Sequence, residues 1–153
     1  MFVIMQSDHL NLEESQAIDL ILQADTNTSI IVDFDETLLL RNSTAEYLNS
    51  LRPGLVGFIL LAMLKIIRPW RWLPKPFRGD KIRDWFLVVT PTILLPWTIF
   101  LWQQKAQKLA QNRANSALIA ALNQNCHSPI IFASLGFNFI IKPILHHLPL
   151  TCV

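Results

Sequence analysis

The chain has 153 residues, enough for one domain with a hydrophobic core, and its 13 basic and 11 acidic side chains nearly balance. This near-neutral charge gives no support to a nucleic-acid-binding protein. Hydrophobic residues make up 52% of the chain and charged residues only 16%, below the roughly 25% of a typical soluble domain. The apolar excess is concentrated in residues 55–102.

The two cysteines, Cys126 and Cys152, show neither a CxxC pattern nor the spacing of a metal site. We expect free thiols in a reducing compartment. The first ten residues lack the basic region and the long apolar segment of a secretory signal. The sequence therefore predicts a cytoplasmic protein, and the apolar region leaves membrane association open.

The first predicted element is a short amphipathic helix. Asn11 and Glu14 resemble an N-cap and its acidic partner, and apolar residues then recur at helical spacing through about Ala24. Residues 25–28 are polar and lead the chain into the next element. We expect this helix to contribute packing and no chemistry.

The stretch Ser29–Leu40, SIIVDFDETLLL, combines an apolar run with two acids two residues apart. Its first half predicts a fully buried strand of a parallel sheet, and such sheets bind ligands at the carboxyl ends of their strands. Because strand side chains alternate, Asp33 and Asp35 are expected to reach one crevice.

Two close carboxylates at such a position suit phosphoryl chemistry. Asp33 is the candidate nucleophile, which would form an acyl-phosphate, and Asp35 the candidate general acid and base. Two acids repel a phosphate group, so this chemistry requires a divalent cation with oxygen ligands. The alternative is an Asp-rich turn in which Asp35 and Thr37 only bond the local backbone.

The segment Asp33-Phe34-Asp35-Glu36-Thr37 resembles motif I of the haloacid dehalogenase (HAD) superfamily, hhhhDxDxT. In phosphatases of that family the first Asp is the nucleophile and the second the general acid/base. The resemblance also implies a Mg²⁺ ion, held by the Asp33 side chain and the Asp35 main-chain carbonyl. The dehalogenase branch lacks the second Asp, so Asp35 points to phosphoryl transfer.

The region after motif I predicts helices. Ser43 and Glu46 form a capping-box pattern for a helix through about Ser50, and Pro53 and Gly54 follow it. Asn42–Leu48 resembles the segment that follows the acid loop in HAD proteins with an inserted cap. Leu55–Ile67 is apolar except for Lys65, and it is too short to span a bilayer.

Trp85–Trp102 has no charged residue, and as one helix it would rise about 27 Å. Pro91 and Pro96 are expected to kink it, which suits a re-entrant hairpin better than a straight span. Six basic residues interleaved with aromatic ones precede this segment: Arg68, Arg71, Lys75, Arg78, Lys81 and Arg83.

Three interpretations of residues 55–102 remain open. The region is the buried core of a helical cap with a basic loop, a membrane-surface segment with an interfacial belt of Trp and basic residues, or a nucleic-acid-binding loop. The absence of charge in Trp85–Trp102 favours the membrane surface, and nucleic acid is the least favoured partner.

The remaining chain before the second motif returns to polar character. Residues 103–125 predict a long helix, broken near Asn112–Asn115, and residues 123–129 predict a loop. The loop residue His127 is expected to be solvated.

A second motif lies in Ile130–Leu145, IIFASLGFNFIIKPIL. It resembles HAD motif II, an apolar strand ending in a Ser or Thr, and the pattern SxGF-x-F resembles the phosphoserine-phosphatase-like branch. The resemblance implies that the Ser134 hydroxyl and the amides of Leu135 and Gly136 bind phosphate. Amides at a helix N-terminus bind anions through the helix dipole and unpaired N–H groups. The alternative is an ordinary strand–turn–helix with Ser134 as the N-cap.

The predicted fold is α/β: an incomplete HAD-like Rossmannoid core, with parallel strands near 30–34 and 130–134, and a large, mostly helical inserted cap. The predicted domains are 1–41 with motif I, 42–125 as the cap, and 126–153 with motif II. The motif III Lys or Arg and the motif IV acids of the family have no match. Lys142 is too close to motif II, and a two-stranded parallel pair is hard to stabilise alone.

The predicted function is hydrolysis of a phosphomonoester, a phosphorylated small molecule or an amphiphilic phosphate, through an aspartyl-phosphate. We expect the N-terminal portion of such an enzyme, weakly active or inactive alone, with a partner polypeptide or a longer reading frame supplying the rest. The rival prediction is a non-catalytic membrane-associated module built on a HAD remnant.

Overall fold

The computed structural model describes residues 10–74 and 80–151. It is a mixed α/β fold, mostly helical, with one two-stranded parallel sheet in the described part of the chain. The elements, in order, are α1 (Leu10–Gln23), β1 (Ile30–Asp33), α2 (Ser43–Leu48), α3 (Gly54–Ile67), a short 3-10 helix (Pro69–Arg71), α4 (Asp80–Leu94), α5 (Thr98–Arg113), α6 (Ser116–Gln124), β2 (Ile130–Ala133) and α7 (Asn138–His147).

The two predicted strands pair with each other in parallel. Ile30 lies opposite Ile130, and Asp33 lies opposite Ala133, so both strands end at the same edge. Ile30 and Val32 are buried, whereas Ile31 is only half-buried. The prediction that β1 is buried on both faces is therefore wrong for the face that carries Ile31 and Asp33.

The chain divides into two compact units. The first, which we call the sheet unit, comprises Met1–Ser43 and Ala106–Val153, and the second, the helical unit, comprises Thr44–Lys105. The division differs from the predicted cap boundaries of 42 and 125, because the second half of α5 and all of α6 belong to the sheet unit.

In the sheet unit, α1 packs against α6. Side-chain hydrogen bonds from Asn125 and Ser128 fix the turn before β1. The side-chain amide of Asn125 donates to the carbonyls of Ile21 at 2.5 Å and Ala24 at 2.9 Å. The Ser128 hydroxyl donates to the Asp25 carbonyl at 2.8 Å. These bonds tie the start of each strand to the same loop, which supports their common register. The apolar core of this unit includes Ile21, Val32, Leu118, Leu122, Ile140 and Ile144.

In the helical unit, α3 packs against α4, and Tyr47 and Trp102 form the buried centre. Their rings meet edge to face, with centroids 5.4 Å apart, an arrangement that aromatic pairs prefer. The Tyr47 hydroxyl lies 2.7 Å from the Thr92 hydroxyl, so its polar end is satisfied. Burial raises the pKa of Tyr47, as desolvation disfavours the phenolate.

The apolar segment Trp85–Trp102 is divided between two helices. Pro91 lies inside α4 without ending it, whereas Pro96 lies in the break before α5. The axes of Ile82–Leu94 and Thr98–Arg113 differ in direction by 115°. Among the described residues, no single helix is both long and apolar enough to cross a membrane. The two helices of this bent pair have that length and composition only when they are taken together.

Three local predictions differ from the structure. Asn11 lies inside α1, which begins at Leu10, so it is not the N-cap. The Ser43 hydroxyl is buried without a hydrogen-bond partner, so it does not form the predicted capping box. Cys126 is disulfide-bonded instead of a free thiol, and Cys152 lies outside the described residues.

Other predictions agree with the observed elements. The predicted break in the helix over 103–125 is present, since α5 ends at Arg113 and α6 begins at Ser116 with Asn115 as its N-cap. The Asn115 side chain accepts the Leu118 N–H at 3.1 Å, which is the usual N-cap bond. His127 is exposed in the loop before β2, and Lys142 is exposed on α7.

Candidate active site

The candidate site lies in the sheet unit, where β1 and β2 end. The Phe34 N–H donates to the Ala133 carbonyl at 2.9 Å, so the pairing extends one step beyond Asp33. The chain then turns sharply, because the N–H groups of Leu38 and Leu39 bond to the carbonyls of Asp33 at 3.3 Å and Phe34 at 2.9 Å. Phe34, Leu38 and Leu39 are fully buried and anchor this loop.

One residue of the loop has an unusual backbone. Glu36 has φ of 63°, a left-handed conformation that L-residues other than Asn, Asp and Gly adopt infrequently. The hydrogen bond from the Leu39 N–H to the Phe34 carbonyl closes the loop. An isolated bridge between Leu39 and Ala114 pairs the loop with the chain that follows α5. The acid loop is therefore a tight, well-bonded turn and not an open connection.

Asp33 is half-buried at the end of β1. Burial raises the pKa of its carboxyl above the ordinary value, and the neighbouring charges of Asp35 and Glu36 raise it further. The Phe34 N–H and the Thr37 side chain act in the opposite direction by hydrogen bonding to the carboxylate. Burial is the largest of these causes, and the charges of Asp35 and Glu36 act in the same direction.

Asp35 connects motif I to motif II. Its carboxylate accepts the Ser43 N–H at 2.6 Å and the Ser134 hydroxyl at 3.1 Å. Ser134 is 99 residues from Asp35 in the sequence, so this contact depends on the parallel pairing of the two strands. Two of the predicted site residues therefore touch, and Asp33 is two residues away on the same strand end.

Ser134 has both of its hydroxyl functions engaged. Its O–H donates to Asp35, and its oxygen accepts the Gly136 N–H at 2.9 Å. Ser134 is not the N-cap of α7, because that helix begins at Asn138 with Phe137 as its N-cap. Leu135 is 99% exposed, so the predicted phosphate loop faces solvent. A phosphate ion that binds here has to take over the bonds that Ser134 now makes.

Gly136 is closely surrounded. A Cβ atom added there would lie 2.8 Å from the Ile141 Cδ1 and 3.2 Å from the Ser134 Oγ. The first atom is the end of a flexible side chain, but the second is the hydroxyl of the candidate site. A side chain at position 136 would therefore press on both the Ile141 side chain and the Ser134 hydroxyl.

The donor set around Asp33 suits a hard cation only in part. Within residues 10–74 and 80–151, no group of three or more His, Cys, Asp or Glu side chains is arranged to hold a metal. Mg²⁺ commonly binds through one or two carboxylates while water and substrate phosphate complete its shell. In such a partial site the Asp33 carboxylate and the Asp35 main-chain carbonyl would be the protein ligands.

The space beside Asp33 is small. A cavity of about 10 Å³ is lined by Ile21, Ile30, Val32, Thr37 and Leu118 along with Asp33, and this volume holds at most one water molecule. A substrate would therefore reach the carboxylate from the exposed side that carries Ser134 and Leu135, and not from within the core.

Sequence reasoning missed the role of Ser43. Its pattern with Glu46 predicts a capping box, yet its N–H is a donor to Asp35, eight residues upstream. The Asp35 carboxylate thus takes the place of a capping side chain at the start of α2. An acid preceding a short helix by several residues is a possible signal, but the loop geometry that brings it back is not visible in the sequence.

Comparison with known proteins gives no relative: no family model, no curated protein and no solved structure matches this chain.

Proposed function

We propose that the sheet unit carries the phosphoryl-transfer site of a HAD-like, phosphoserine-phosphatase-like hydrolase that cleaves phosphomonoesters. The observation that carries the proposal is the hydrogen bond between Asp35 and Ser134 at the common edge of the two parallel strands. An Asp-rich turn that served only its own loop would have no reason to contact a hydroxyl 99 residues away. The same edge is where parallel sheets bind ligands.

In the proposed reaction an Asp33 oxygen attacks the phosphorus atom. The bond between phosphorus and the leaving oxygen breaks, and Asp35 gives that oxygen a proton. Asp35 then takes a proton from water, the water oxygen attacks the phosphorus of the acyl-phosphate, and the Asp33 carboxylate leaves. The step frees inorganic phosphate and restores both acids.

The remaining site residues would position the phosphoryl group. Ser134 would donate a hydrogen bond to a phosphoryl oxygen once it releases Asp35. The amides of Leu135 and Gly136 would be further donors, the Gly136 N–H after it leaves the Ser134 oxygen. A bound Mg²⁺ would supply positive charge to offset the two carboxylates and the phosphate. The partial ligand set limits the turnover that we expect from these residues, so the first test measures binding of a phosphoryl analogue.

The test uses fluoroberyllate, which forms a tetrahedral adduct on a carboxylate oxygen and mimics an acyl-phosphate. We expect a bound ¹⁹F NMR signal with the intact chain when Mg²⁺ and fluoroberyllate are both present. The signal should vanish in Asp33→Asn, because the amide lacks the anionic oxygen. Ser134→Ala should weaken binding by roughly ten- to a hundredfold, as for one lost hydrogen bond to a charged group.

The matched control is Asp19→Asn, which removes one exposed acid from α1. Its bound signal should equal that of the unmodified chain. A bound signal that survives in Asp33→Asn, or one that is lost equally in Asp19→Asn, contradicts the proposed role of Asp33.

A second function is favoured by a separate observation, the exposed apolar surface of the helical unit. Leu55 and Phe58 on α3 are 72% and 71% exposed. Exposed apolar patches of this kind mark interaction or membrane surfaces. In this alternative the chain is a non-catalytic membrane-associated module, and the two aspartates only cap the loop. Membrane binding together with absent fluoroberyllate binding would favour the alternative.

A further inference from the structure

The helical unit contains a cavity of about 760 Å³ that the proposed reaction does not use. It lies between the end of α3, the 3-10 helix and the start of α4. Its lining includes Lys65, Arg68, Arg71 and Arg83, the acid Asp84, and the indole of Trp70. Among the described lining residues, four basic side chains against one acid leave a net of three positive charges, which suits the cavity to an anion.

The backbone of this region presents the basic side chains together. Arg68 ends α3 in a left-handed conformation, with φ of 51°, and its Nε donates to the Lys65 carbonyl at 3.1 Å. Basic groups at the carboxyl end of a helix are stabilised by the helix dipole. Asp84, the acid among the described lining residues, is paired with Arg83 at 3.0 Å.

The exposed face of α3 adjoins this basic cavity and is apolar. Phe58 and Ile66 are 71% and 79% exposed, and Gly57 is the residue that faces inward. At 100° per residue, the exposed apolar side chains cover about half of the helix circumference. They are Leu55, Val56, Phe58, Ile59, Met63, Ile66 and Ile67. A soluble helix normally carries polar residues on such a face.

A second apolar patch lies at the opposite end of α3. The Trp97 indole N–H donates to the Arg52 carbonyl at 2.6 Å, which places the break between α4 and α5 beside the start of α3. Ile93 and Phe100, on either side of this break, are each 70% exposed. The helices α3 and α4 therefore run antiparallel, with a basic cavity at one end and an apolar, aromatic bend at the other.

We propose that this surface binds an anionic phospholipid bilayer. The apolar face of α3 and the bend enter the interfacial layer, and the basic cavity receives the phosphate of an anionic lipid headgroup. Charge complementarity argues for this occupant, since Lys and Arg next to an exposed apolar face fit anionic headgroups above acyl chains. Trp70, Trp72 and Trp97 lie on or beside this surface, as expected at a membrane interface. This proposal is independent of the phosphatase proposal.

The test is flotation of the intact chain with vesicles at low salt. One vesicle set contains phosphatidylcholine alone, and the other contains phosphatidylcholine mixed with phosphatidylglycerol. We expect the protein to float with the mixed vesicles and much less with the neutral ones. Lys65→Gln combined with Arg71→Gln should lower the partition to mixed vesicles about tenfold or more, because each basic residue near an anionic surface contributes strongly.

The matched charge control is Lys108→Gln combined with Arg113→Gln, which removes two exposed basic residues from the sheet unit. It should leave flotation nearly unchanged. A second pair of variants tests the apolar face. Phe58→Gln combined with Ile66→Gln should lower binding to the mixed vesicles, whereas Leu22→Gln, an exposed apolar position on α1, should not. Circular dichroism of each variant verifies that its helices remain folded.

Several outcomes would overturn the proposal. Equal flotation with neutral and anionic vesicles would remove the role of the cavity. Equal losses of vesicle binding in the Lys65/Arg71 and Lys108/Arg113 variants would mean that the net charge of the protein, and not the cavity, causes the binding. Release from the vesicles by millimolar inorganic phosphate would assign the cavity to a soluble anion. Binding of an RNA oligonucleotide that is lost only in the Lys65/Arg71 variant would assign it to nucleic acid.

Discussion

Asp33 lies in surroundings that disfavour its charged form. Its carboxylate is half-buried and lies near two other acids, and these surroundings raise its pKa. A carboxyl group with a raised pKa in the folded chain binds protons more readily there than in the unfolded chain. Its ionisation therefore lowers the free energy of unfolding as the pH rises from the ordinary Asp value through the raised one.

This sign leads to a stability prediction for Asp33→Asn. At neutral pH the amide removes an unfavourable buried charge, so the free energy of unfolding should rise by about 0.5–1 kcal/mol, a figure reduced for partial solvent exposure. The gain should shrink as the pH falls through the raised pKa and vanish below the ordinary Asp value, because the wild-type carboxyl is then neutral in both the folded and the unfolded chain. Urea unfolding of both chains across this pH range measures the difference.

Asp25→Asn is the matched control, because its pKa is shifted in the opposite direction. The Thr28 hydroxyl bonds to the Asp25 carboxylate at 2.6 Å and lowers its pKa. That bond stabilises the fold above the ordinary Asp pKa and is lost as the pH falls through the lowered one, so Asp25→Asn should lower stability at neutral pH. A loss of stability in Asp33→Asn at neutral pH would contradict the claim that burial and the neighbouring acids disfavour the charged carboxylate of Asp33.

At the residue scale, the sequence predicts which side chains form the candidate site better than it predicts which groups they are hydrogen-bonded to. The order Asp33, Asp35 and, much later, Ser134 follows from two short patterns at strand ends. That Ser134 donates to Asp35 and accepts from Gly136 follows from loop geometry, which neither pattern contains. Ser43 is the clearest case, since its local pattern and its observed partner are different.

The packing of α3 depends on one glycine. A Cβ atom at Gly57 would lie 2.7 Å from the Cβ of Leu51, an atom fixed to the backbone. Leu51 is buried, so neither side has room to move. A glycine is a poor helix former, yet at this position the close approach of the two segments requires it.

We therefore expect Gly57→Ala to lower the free energy of unfolding by about 1–3 kcal/mol, as overpacked positions do, despite the better helix propensity of alanine. Gly54→Ala is the control, because its added Cβ would meet only the end of the Arg52 side chain, at 3.3 Å. Urea denaturation distinguishes the two variants. Equal stability of both would mean that α3 and Leu51 are not packed as described.

At the element scale, periodicity and proline positions predicted most helices but not all of their ends. Residues 85–102 read as one apolar segment, whereas the chain breaks around Pro96, where a backbone N–H is missing. Pro91 is equally visible in the sequence but lies inside α4. The difference arises from tertiary packing: Pro91 is fully buried, so its surroundings keep the helix continuous there.

The whole molecule consists of two units with separate proposed tasks. The sheet unit holds the two acids and the hydroxyl, and the helical unit holds the basic cavity and the exposed apolar face. The sequence predicted an inserted helical region, because its composition changes near residue 55. It did not predict that α5 belongs to both units, since the composition changes at residue 103, inside that helix, and not at the boundary between the units.

The most direct measurement of the central claim is chemical trapping of the acyl-phosphate. The intact chain is incubated with Mg²⁺ and acetyl phosphate, the product is reduced with borohydride, and the modified residue is located by peptide mass spectrometry. The account predicts conversion of Asp33 to homoserine, with none in Asp33→Asn and an unchanged yield in Asp19→Asn. Modification of Asp35 in place of Asp33, or an unmodified Asp33 after this treatment, would contradict it.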